Sequence, residues 1–498
     1  MGKRKASTLI SKKAKVLRTD EESDVETLEF NALEEDLPCD EFQGSETDDG
    51  GESDDHYDGE LVESEEDQED SDAEASEGEE TSDHEEAESG DERITVGAGA
   101  IKETAFLGDL QEVKQRIEDT LVLLENWKEA RMDPSVASEL SRDDLLAQIS
   151  MDLSVFYGYN RELTNYFLKM FSPEEVKELY EANERPRPVV IRTNALKARR
   201  RELANALVAR GVNVEPLAEW SKVGLIVTES TVPVGATPEH CAGHYILQSA
   251  SSFIPVIALA PQAGETVLDM AAAPGGKSTY IAQLMKNKGI LICNDSQPER
   301  SKSLAANLHR LGVTNAVTLC MDGRKLEGKT PRVDRVLLDA PCTGLGIIAR
   351  DSSVKSKRKP RDFVQAASLQ RELLLSAIDL CDANSPTGGY VVYSTCSVSI
   401  EENEGVVNSI LNSGRDVKLV PFAPDIGSPG HTAIGQWRFP ECMKLTRRFW
   451  PHRHDMDGFF VAKFRKLSNK VVRKTKNVSK YNKFVKTADA DWSEVVAQ

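Results

Sequence analysis

The chain of 498 residues is too long for one ordinary domain, so we expect two or three compact units. Residues 1–19 carry seven basic and no acidic side chains, residues 20–92 carry 36 acidic and no basic ones, and the rest has 54 basic against 47 acidic ones. The absence of a long apolar run, of an apolar signal-peptide centre and of any CxxC pair argues against a membrane, secreted, disulfide-rich or zinc-ribbon protein.

Both ends of the chain are predicted to be disordered tails, at 1–100 and 467–498. The acidic segment has too few apolar side chains to offset the entropy lost on ordering. Lys3-Arg4-Lys5 resembles a nuclear import signal, which predicts a protein of the nucleus. The acidic block either keeps the protein soluble or contacts basic ribosomal or assembly proteins. The C-terminal tail is basic and suits contact with nucleic acid.

Two units are predicted before the main domain. Residues 101–184 have apolar residues at helical spacing and form a helical region. Residues 185–260 form a small mixed α/β module, with strands at 189–194 and 223–227 and a basic helix at 197–210.

From 261 to 466 strands and helices alternate, which predicts an α/β domain with a Rossmann-like parallel sheet. Between the strands we expect helices on both faces of the sheet. The predicted strands are Thr266–Leu268, Gly289–Cys293, Ala316–Cys320, Arg335–Leu338, Tyr390–Tyr393 and Phe459–Phe464.

A run of small residues after the first of these strands is typical of a loop that binds a ligand. Asp269-Met-Ala-Ala-Ala-Pro-Gly-Gly-Lys-Ser278 joins the strand to a helix, whose N-terminus offers free N–H donors. One interpretation is the phosphate loop of an NTPase, with Asp339 as its magnesium-binding acid. Pro274 removes a donor from such a loop, and Ala271 stands where its first glycine is expected. We therefore favour a cofactor that carries adenosine and methionine.

Three acids follow successive strands of the predicted sheet: Asp295, Asp322 and Asp339. Ligands of such sheets bind beyond the carboxyl ends of the strands, where an acid accepts hydrogen bonds from ribose hydroxyls. Asp295 is expected at the ribose and Asp322 near the adenine amino group. Each acid taken alone could equally be a helix cap or a turn residue.

Two cysteines follow the last two parallel strands, Cys342 in DAPCTG and Cys396 in STCS. Because the carboxyl ends of neighbouring parallel strands meet at one edge, we expect both thiols at that edge. A single cysteine is more often a buried structural thiol. A thiol in a turn beside an acid instead indicates a nucleophile.

Together these motifs resemble the RNA cytosine-carbon-5 methyltransferases of the Sun/RsmB type. DMAAAPGGKS, ND at 294–295, MDGR at 321–324, DAPCTG and STCS stand in that family's order and spacing within residues 181–466. Two further segments and the acidic extension resemble the eukaryotic nucleolar proliferation-antigen branch. The segments are GHYILQSASSFIPVIALAP at 243–261 and TRRFWPHRHDMDGFFVAKF at 446–464.

The resemblance implies a class I methyltransferase that uses S-adenosylmethionine and requires no metal. Cys396 is implied to be the nucleophile, Cys342 to help release the product, and Asp339 to hold the cytosine. Chemistry alone leaves the order of the two thiols open, and Lys277 either lowers a thiolate pKa or faces the cofactor. The implied cofactor-binding residues are Ala271, Ala272, Ala273, Pro274, Gly275, Gly276, Lys277, Asp295, Asp322 and Asp339.

The implied substrate is carbon 5 of cytosine in large-subunit ribosomal RNA, modified in the nucleolus during assembly of the large ribosomal subunit. The module at 185–260 resembles the family's RNA-binding module, with Arg192, Lys197 and Arg199–Arg201 as candidate phosphate contacts. Pre-ribosomal RNA is thus the expected partner. A ribosome-assembly scaffold with dispensable catalysis remains an alternative.

Overall fold

A computed structural model of the chain describes residues 110–127, 141–435 and 437–471. The predicted tail at 1–100 and the part of the predicted tail beyond Val471 lie outside these ranges. No helix in the described ranges is long and apolar enough to cross a membrane.

The described residues form helices and strands that we number in chain order. Helices α1 to α13 are Leu110–Glu125, Arg142–Tyr157, Arg161–Met170, Pro173–Glu184, Arg200–Val208, Pro238–Cys241, Ile254–Leu259, Gly276–Leu284, Pro298–Arg310, Val354–Lys357, Pro360–Leu380, Val406–Leu411 and Pro451–His454. Strands β1 to β15 are Val189–Thr193, Val212–Pro216, Gly224–Ser230, Tyr245–Leu247, Thr266–Asp269, Ile290–Asp295, Ala316–Cys320, Arg335–Asp339, Tyr390–Thr395, Arg415–Leu419, Ser428–Pro429, Ala433–Ile434, Trp437–Arg438, Arg447–Phe449 and Phe459–Val471.

The larger sheet contains the parallel strands that the sequence predicted. Its strands lie in the order β11-β14-β15-β9-β8-β5-β6-β7, and β10 pairs with β15. Strands β5 to β9 are parallel, whereas β15 runs antiparallel to β9. The prediction of a Rossmann-like α/β sheet is therefore confirmed. The carboxyl ends of β5 to β9 share one edge, which carries the candidate site.

The parallel strands β5, β6, β8 and β9 are largely apolar because both faces of the sheet are covered there, whereas the edge strand β7 is mostly exposed. Successive residues of β8 point to opposite faces: Val336 and Leu338 enter one core cluster, and Leu337 enters another. The long helix α11 packs its apolar side on the first of these clusters, through residues such as Leu374 and Ile378. Burial on both faces explains the continuous apolar runs from which these strands were predicted.

The C-terminal strand is longer than predicted. β15 runs to Val471, beyond the predicted strand end at Phe464, because β10 pairs with its second half from Leu419 to Arg415. β10 was not predicted, since its sequence RDVKL has little apolar character. Backbone pairing with β10 thus places residues 467–471, which were predicted to belong to the basic tail, in the larger sheet.

The smaller sheet precedes the larger one in the chain. It has the order β2-β3-β1-β4, with every pair antiparallel. Leu203 and Leu207 of α5 pack beneath it against Ile191 and Leu225. The predicted basic helix is shorter than expected, because it begins at Arg200 and ends at Val208. The prediction of a smaller mixed α/β unit is confirmed.

Helices α1 to α4 form a layer that packs near the Cys342 loop. Asn160 Oδ1 caps α3 by accepting the Leu163 N–H at 2.8 Å. Phe167 of this layer belongs to the same core cluster as Leu345 and Ile348, which follow Cys342 in the chain. The helical region is therefore part of the support of the candidate site.

Candidate active site

The predicted small-residue loop joins β5 to α8 at the carboxyl edge of the sheet. Gly275, with φ of 102°, allows the sharp turn into α8, which begins at Gly276. The loop is bound to β6, because Ala272 N–H donates to the Asn294 carbonyl at 2.7 Å and Ala273 N–H to Asp295 Oδ2 at 3.2 Å. All seven loop residues named above lie here: Ala271, Ala272, Ala273, Pro274, Gly275, Gly276 and Lys277.

Asp295 and Asp322 lie at the ends of the two neighbouring strands, where the sequence predicted them. Asp295 is 2% exposed and also accepts the Gln297 N–H at 3.0 Å. Asp322 accepts hydrogen bonds from the backbone and guanidinium of Arg324, which lower its pKa. Asp322 therefore caps the turn that follows it, which was the structural alternative for this residue. Both acids lie at the carboxyl edge of the sheet, where ligands of such sheets bind.

Asp269, at the end of β5, is a deeply buried acid. It is 1% exposed, and its Oδ2 accepts the Ser278 hydroxyl at 2.7 Å. Burial raises the pKa of its carboxyl to about 7, although the Ser278 hydrogen bond opposes this shift. Ser278 lies in the first turn of α8, so this bond also fixes the helix against the strand.

Lys277 and Asp339 form an ion pair at the centre of the site. Lys277 Nζ lies 2.7 Å from Asp339 Oδ2, and the Ser394 hydroxyl donates to Asp339 Oδ1 at 2.7 Å. Lys277 Nζ also lies 5.5 Å from the centre of the Phe459 ring. The carboxylate is thus oriented by Lys277 at the end of the small-residue loop on one side and by Ser394 of β9 on the other.

The structure brings Cys342 and Cys396 together. Their Sγ atoms lie 2.7 Å apart, because β8 and β9 are paired in parallel and Cys342 and Cys396 follow their strands by three residues and one residue. Both side chains are partly buried. The hydrogen bond with Cys396 and burial raise the pKa of the Cys342 thiol well above its usual range. Either thiol can therefore donate a hydrogen bond to the sulfur of the other.

Arg192, one of the candidate phosphate contacts, has a different position from the one predicted. Its side chain is 1% exposed and donates to the Gly276 carbonyl and to Thr279 Oγ1, the latter at 2.7 Å. Burial lowers its pKa to about 9. Arg192 therefore joins the smaller sheet to the start of α8 and does not face RNA. Arg199 and Arg201 are exposed, as a phosphate contact requires.

Two buried carboxylates beside the site were missed in the sequence. Glu402 binds the turns next to both cysteines, and Glu404 forms an ion pair with Arg448 in which both side chains are at most 1% exposed. Both belong to a π-helical turn, Glu401–Gly405. A signal for their burial was present in the sequence: the acidic run EENE at 401–404 lies between apolar residues. A loop that faces solvent does not need apolar residues on both sides.

Comparison with known proteins identifies the family. The model of the 16S rRNA methyltransferase RsmB/F family matches residues 256–465, and that of the RsmF/B-like ferredoxin-like domain matches residues 166–234. The solved structure of a methyltransferase homolog protein from Pyrococcus horikoshii is 35% identical, with a TM-score of 0.58; the match covers 66% of this chain and 100% of that one. This chain belongs to the RsmB/F methyltransferase family.

Eukaryotic members of the RsmB/F family match over more of the chain. The 28S rRNA (cytosine(4447)-C(5))-methyltransferase of Homo sapiens is 50% identical over 75% of this chain and 45% of its own length. The 25S rRNA (cytosine-C(5))-methyltransferase nop2 of Schizosaccharomyces pombe is 51% identical over 73% of this chain and 59% of its own length. The resemblance to the eukaryotic branch is confirmed. The chain spans about half the length of these curated relatives.

Family membership also bears on the small-residue loop. The structure of NSun6 from Pyrococcus horikoshii was solved with SFG, an analogue of S-adenosylmethionine. That protein is 27% identical to this chain, with a TM-score of 0.56, and the match covers 62% of this chain and 98% of that one. The RsmB/F family is of the S-adenosylmethionine-dependent type. The loop therefore fits the cofactor interpretation better than the phosphate loop of an NTPase.

Proposed function

We propose that this chain methylates carbon 5 of a cytosine in large-subunit ribosomal RNA, with S-adenosylmethionine as the methyl donor. The observation that carries the proposal is the pair of thiols 2.7 Å apart beside the Lys277–Asp339 ion pair. Carbon 5 of cytosine is a weak nucleophile until a group adds to carbon 6, and a thiolate is well suited to that addition.

The cofactor would be held by the loop from Ala271 to Lys277 and by Asp295 and Asp322. When bound, S-adenosylmethionine supplies an electrophilic methyl group. The open N-terminus of α8 and the Asp295 carboxylate, 2% exposed, supply a donor and an acceptor on the same side of the sheet.

Cys396 is proposed as the nucleophile. Its thiolate forms a bond to carbon 6 of cytosine, and the electron pair of the C5–C6 double bond becomes available at carbon 5. Carbon 5 would take the methyl group with the electron pair of the broken S–CH3 bond left on the cofactor sulfur, which departs as a neutral thioether. The carbon 5 proton then passes to water, the double bond re-forms, and the C6–S bond breaks with its electron pair on the Cys396 sulfur. The protonated Cys342 stabilises the departing thiolate by its S–H, which assigns Cys342 to product release.

Asp339 is proposed to hold the cytosine edge and to stabilise the ring when Cys396 adds to it. Lys277 and Ser394 would orient its two oxygens, since each donates to one of them at 2.7 Å. A target base must be unpaired or flipped to reach this edge of the sheet.

The proposed partner is pre-ribosomal RNA in the assembling large subunit, within the nucleus and nucleolus. We assign RNA binding to the module at 185–260, methyl transfer to 261–466, structural support to 101–184, and contact with RNA or basic assembly proteins to the tails at 1–100 and 467–498. Exposed Arg199 and Arg201 support the first of these assignments.

The proposal is tested by transfer of labelled methyl groups to pre-ribosomal RNA. We expect Cys396→Ala to abolish transfer, and Cys342→Ala to accumulate a covalent protein–RNA adduct that resists denaturation. Cys320→Ala is the matched control, because this exposed thiol also lies at the end of a parallel strand. Its transfer should stay within about twofold of the parent, since it touches neither thiol.

Three other results would contradict parts of the proposal. An adduct in Cys396→Ala with none in Cys342→Ala would exchange the two roles. Unchanged transfer in both variants would remove the thiols from the chemistry. A parent protein that binds the RNA but transfers nothing would instead favour the assembly scaffold.

A further inference from the structure

Glu402 lies beneath the two cysteines and is completely buried. Its Oε1 accepts the Thr343 N–H and the Gln370 side-chain N–H, both at 2.9 Å. Its Oε2 accepts the hydroxyls of Thr343 at 2.6 Å, Ser399 at 2.8 Å and Ser397. Five donors around two oxygens fit a carboxylate that only accepts hydrogen bonds.

These donors come from both cysteine loops. Thr343 directly follows Cys342, and Ser397 directly follows Cys396. Gln370 of α11 also donates to the Pro341 carbonyl at 2.9 Å, so the residues on both sides of Cys342 are fixed from this one centre. Separate loops that meet at one buried carboxylate cannot move apart without leaving several donors unsatisfied.

The charge of Glu402 also acts on the thiols. No cation is among its hydrogen-bond partners in the described chain, and Arg448 is paired with Glu404 instead. A neighbouring negative charge disfavours a thiolate, and Glu402 is one of the groups that raise the pKa of Cys342, after Cys396 and burial. The Lys277–Asp339 pair lies at the start of the Cys342 loop, and the charge of Glu401 faces Tyr166.

We propose that Glu402 is a positioning residue that holds the Cys342 and Cys396 loops together and places a negative charge beside Cys342. The two sulfurs then stay within hydrogen-bond distance of each other while the adduct forms and breaks. This catalytic consequence rests on the proposed function, whereas the effect on the thiols belongs to the protein alone.

The test is the pH dependence of alkylation by iodoacetamide, resolved for each cysteine by mass spectrometry of the full chain. Only the thiolate displaces iodide, so the midpoint of the rate profile reports the pKa. We expect Glu402→Gln to lower the Cys342 midpoint and to raise its rate at pH 8 by about threefold or more, equal to about half a pKa unit. The matched control is Glu401→Gln, which removes the same charge from the same turn but contacts Tyr166 at 2.6 Å. It should change the rate less than about twofold.

If Glu402 has a purely structural role, Glu402→Gln should raise the alkylation rate of Cys342 at high pH without moving the midpoint of the profile. That result would overturn the charge effect of Glu402. An equal midpoint shift in Glu401→Gln would overturn the assignment to Glu402. If Glu402→Gln does not fold, Thr343→Val removes one donor and keeps the charge. This variant should raise the alkylation rate of both cysteines at high pH and leave the midpoint of the Cys342 profile unchanged. Unaltered rates at high pH would overturn the link between the two loops.

Methyl transfer is measured on the same samples. Glu402→Gln should lower kcat by about tenfold or more with KM for RNA unchanged, as slow product release requires. An unchanged kcat would contradict the catalytic consequence. If the parent itself transfers nothing, the proposed function fails, while the alkylation profiles still decide the role of Glu402.

Discussion

At the scale of single residues, burial sets the protonation of Asp269. Its Oδ1 has no hydrogen-bond partner in the described chain, and Oδ2 has only the Ser278 hydroxyl. The pKa of about 7 lies above the value of about 3.9 for an exposed carboxyl. The folded state therefore binds the proton more tightly than the unfolded state does. The contribution of Asp269 to the free energy of unfolding falls as pH rises from about 4 through about 7.

Asp269→Asn should remove this pH dependence, because the amide is neutral throughout and its oxygen still accepts the Ser278 hydroxyl. Relative to the parent, we expect the variant to gain about 2–3 kcal/mol of stability between pH 5 and pH 8. Urea unfolding at the two pH values measures this difference. Asp351→Asn at an exposed turn is the control, and a parent-to-variant difference that is equal at both pH values would contradict the prediction.

At the scale of secondary structure, whether an element could be predicted from the sequence depended on how that element is buried. β5, β6, β8 and β9 could be predicted, since strands covered on both faces are apolar, and the ends of β8 and β9 located Cys342 and Cys396. β10 could not, because its alternate residues are exposed and its pairing with β15 depends on backbone groups. Arg192 was assigned to RNA because a sequence does not reveal whether a cation in a strand points inward. Glu402 was missed since its partners come from three separate segments.

Asn160 connects two elements that are distant in the chain. Besides capping α3, its side-chain amide donates to the carbonyls of Lys355 at 3.0 Å and Arg358 at 2.7 Å, around the short helix that follows the Cys342 loop. Asn160→Ala should lose about 2–3 kcal/mol of stability, as both the cap and the amide bonds are removed.

Asn160→Ser separates these two contributions. Serine keeps the cap but cannot reach the carbonyls, so we expect a loss of about 1–2 kcal/mol by chemical unfolding. Equal losses in the two variants would mean that the cap contributes nothing.

At the scale of the whole molecule, the acidic segment opposes the charge of the rest. Residues 20–92 supply 36 of the 83 acidic side chains, and the chain after them is net basic. An anionic segment tethered to an RNA-binding protein competes with phosphates for the same cations.

Replacing residues 20–92 by a Gly/Ser spacer of equal length should therefore tighten RNA binding at low salt and steepen its salt dependence. Methyl transfer should stay within about twofold, because every proposed catalytic residue lies in 261–466. Filter binding at salt concentrations from about 50 to about 300 mM measures the slope. Equal affinities with and without the acidic segment would contradict competition, and lost transfer would contradict the division of labour.

The guanidinium of Arg192 has a consequence for cooperativity. It extends from the smaller sheet and donates to the first turn of α8, where the small-residue loop ends. Under the proposed function RNA binds the smaller unit and the cofactor binds this loop, so a ligand that moves one of the two elements also acts on the other. Thermodynamic linkage makes that coupling reciprocal: whatever factor RNA applies to cofactor affinity, the cofactor applies to RNA affinity.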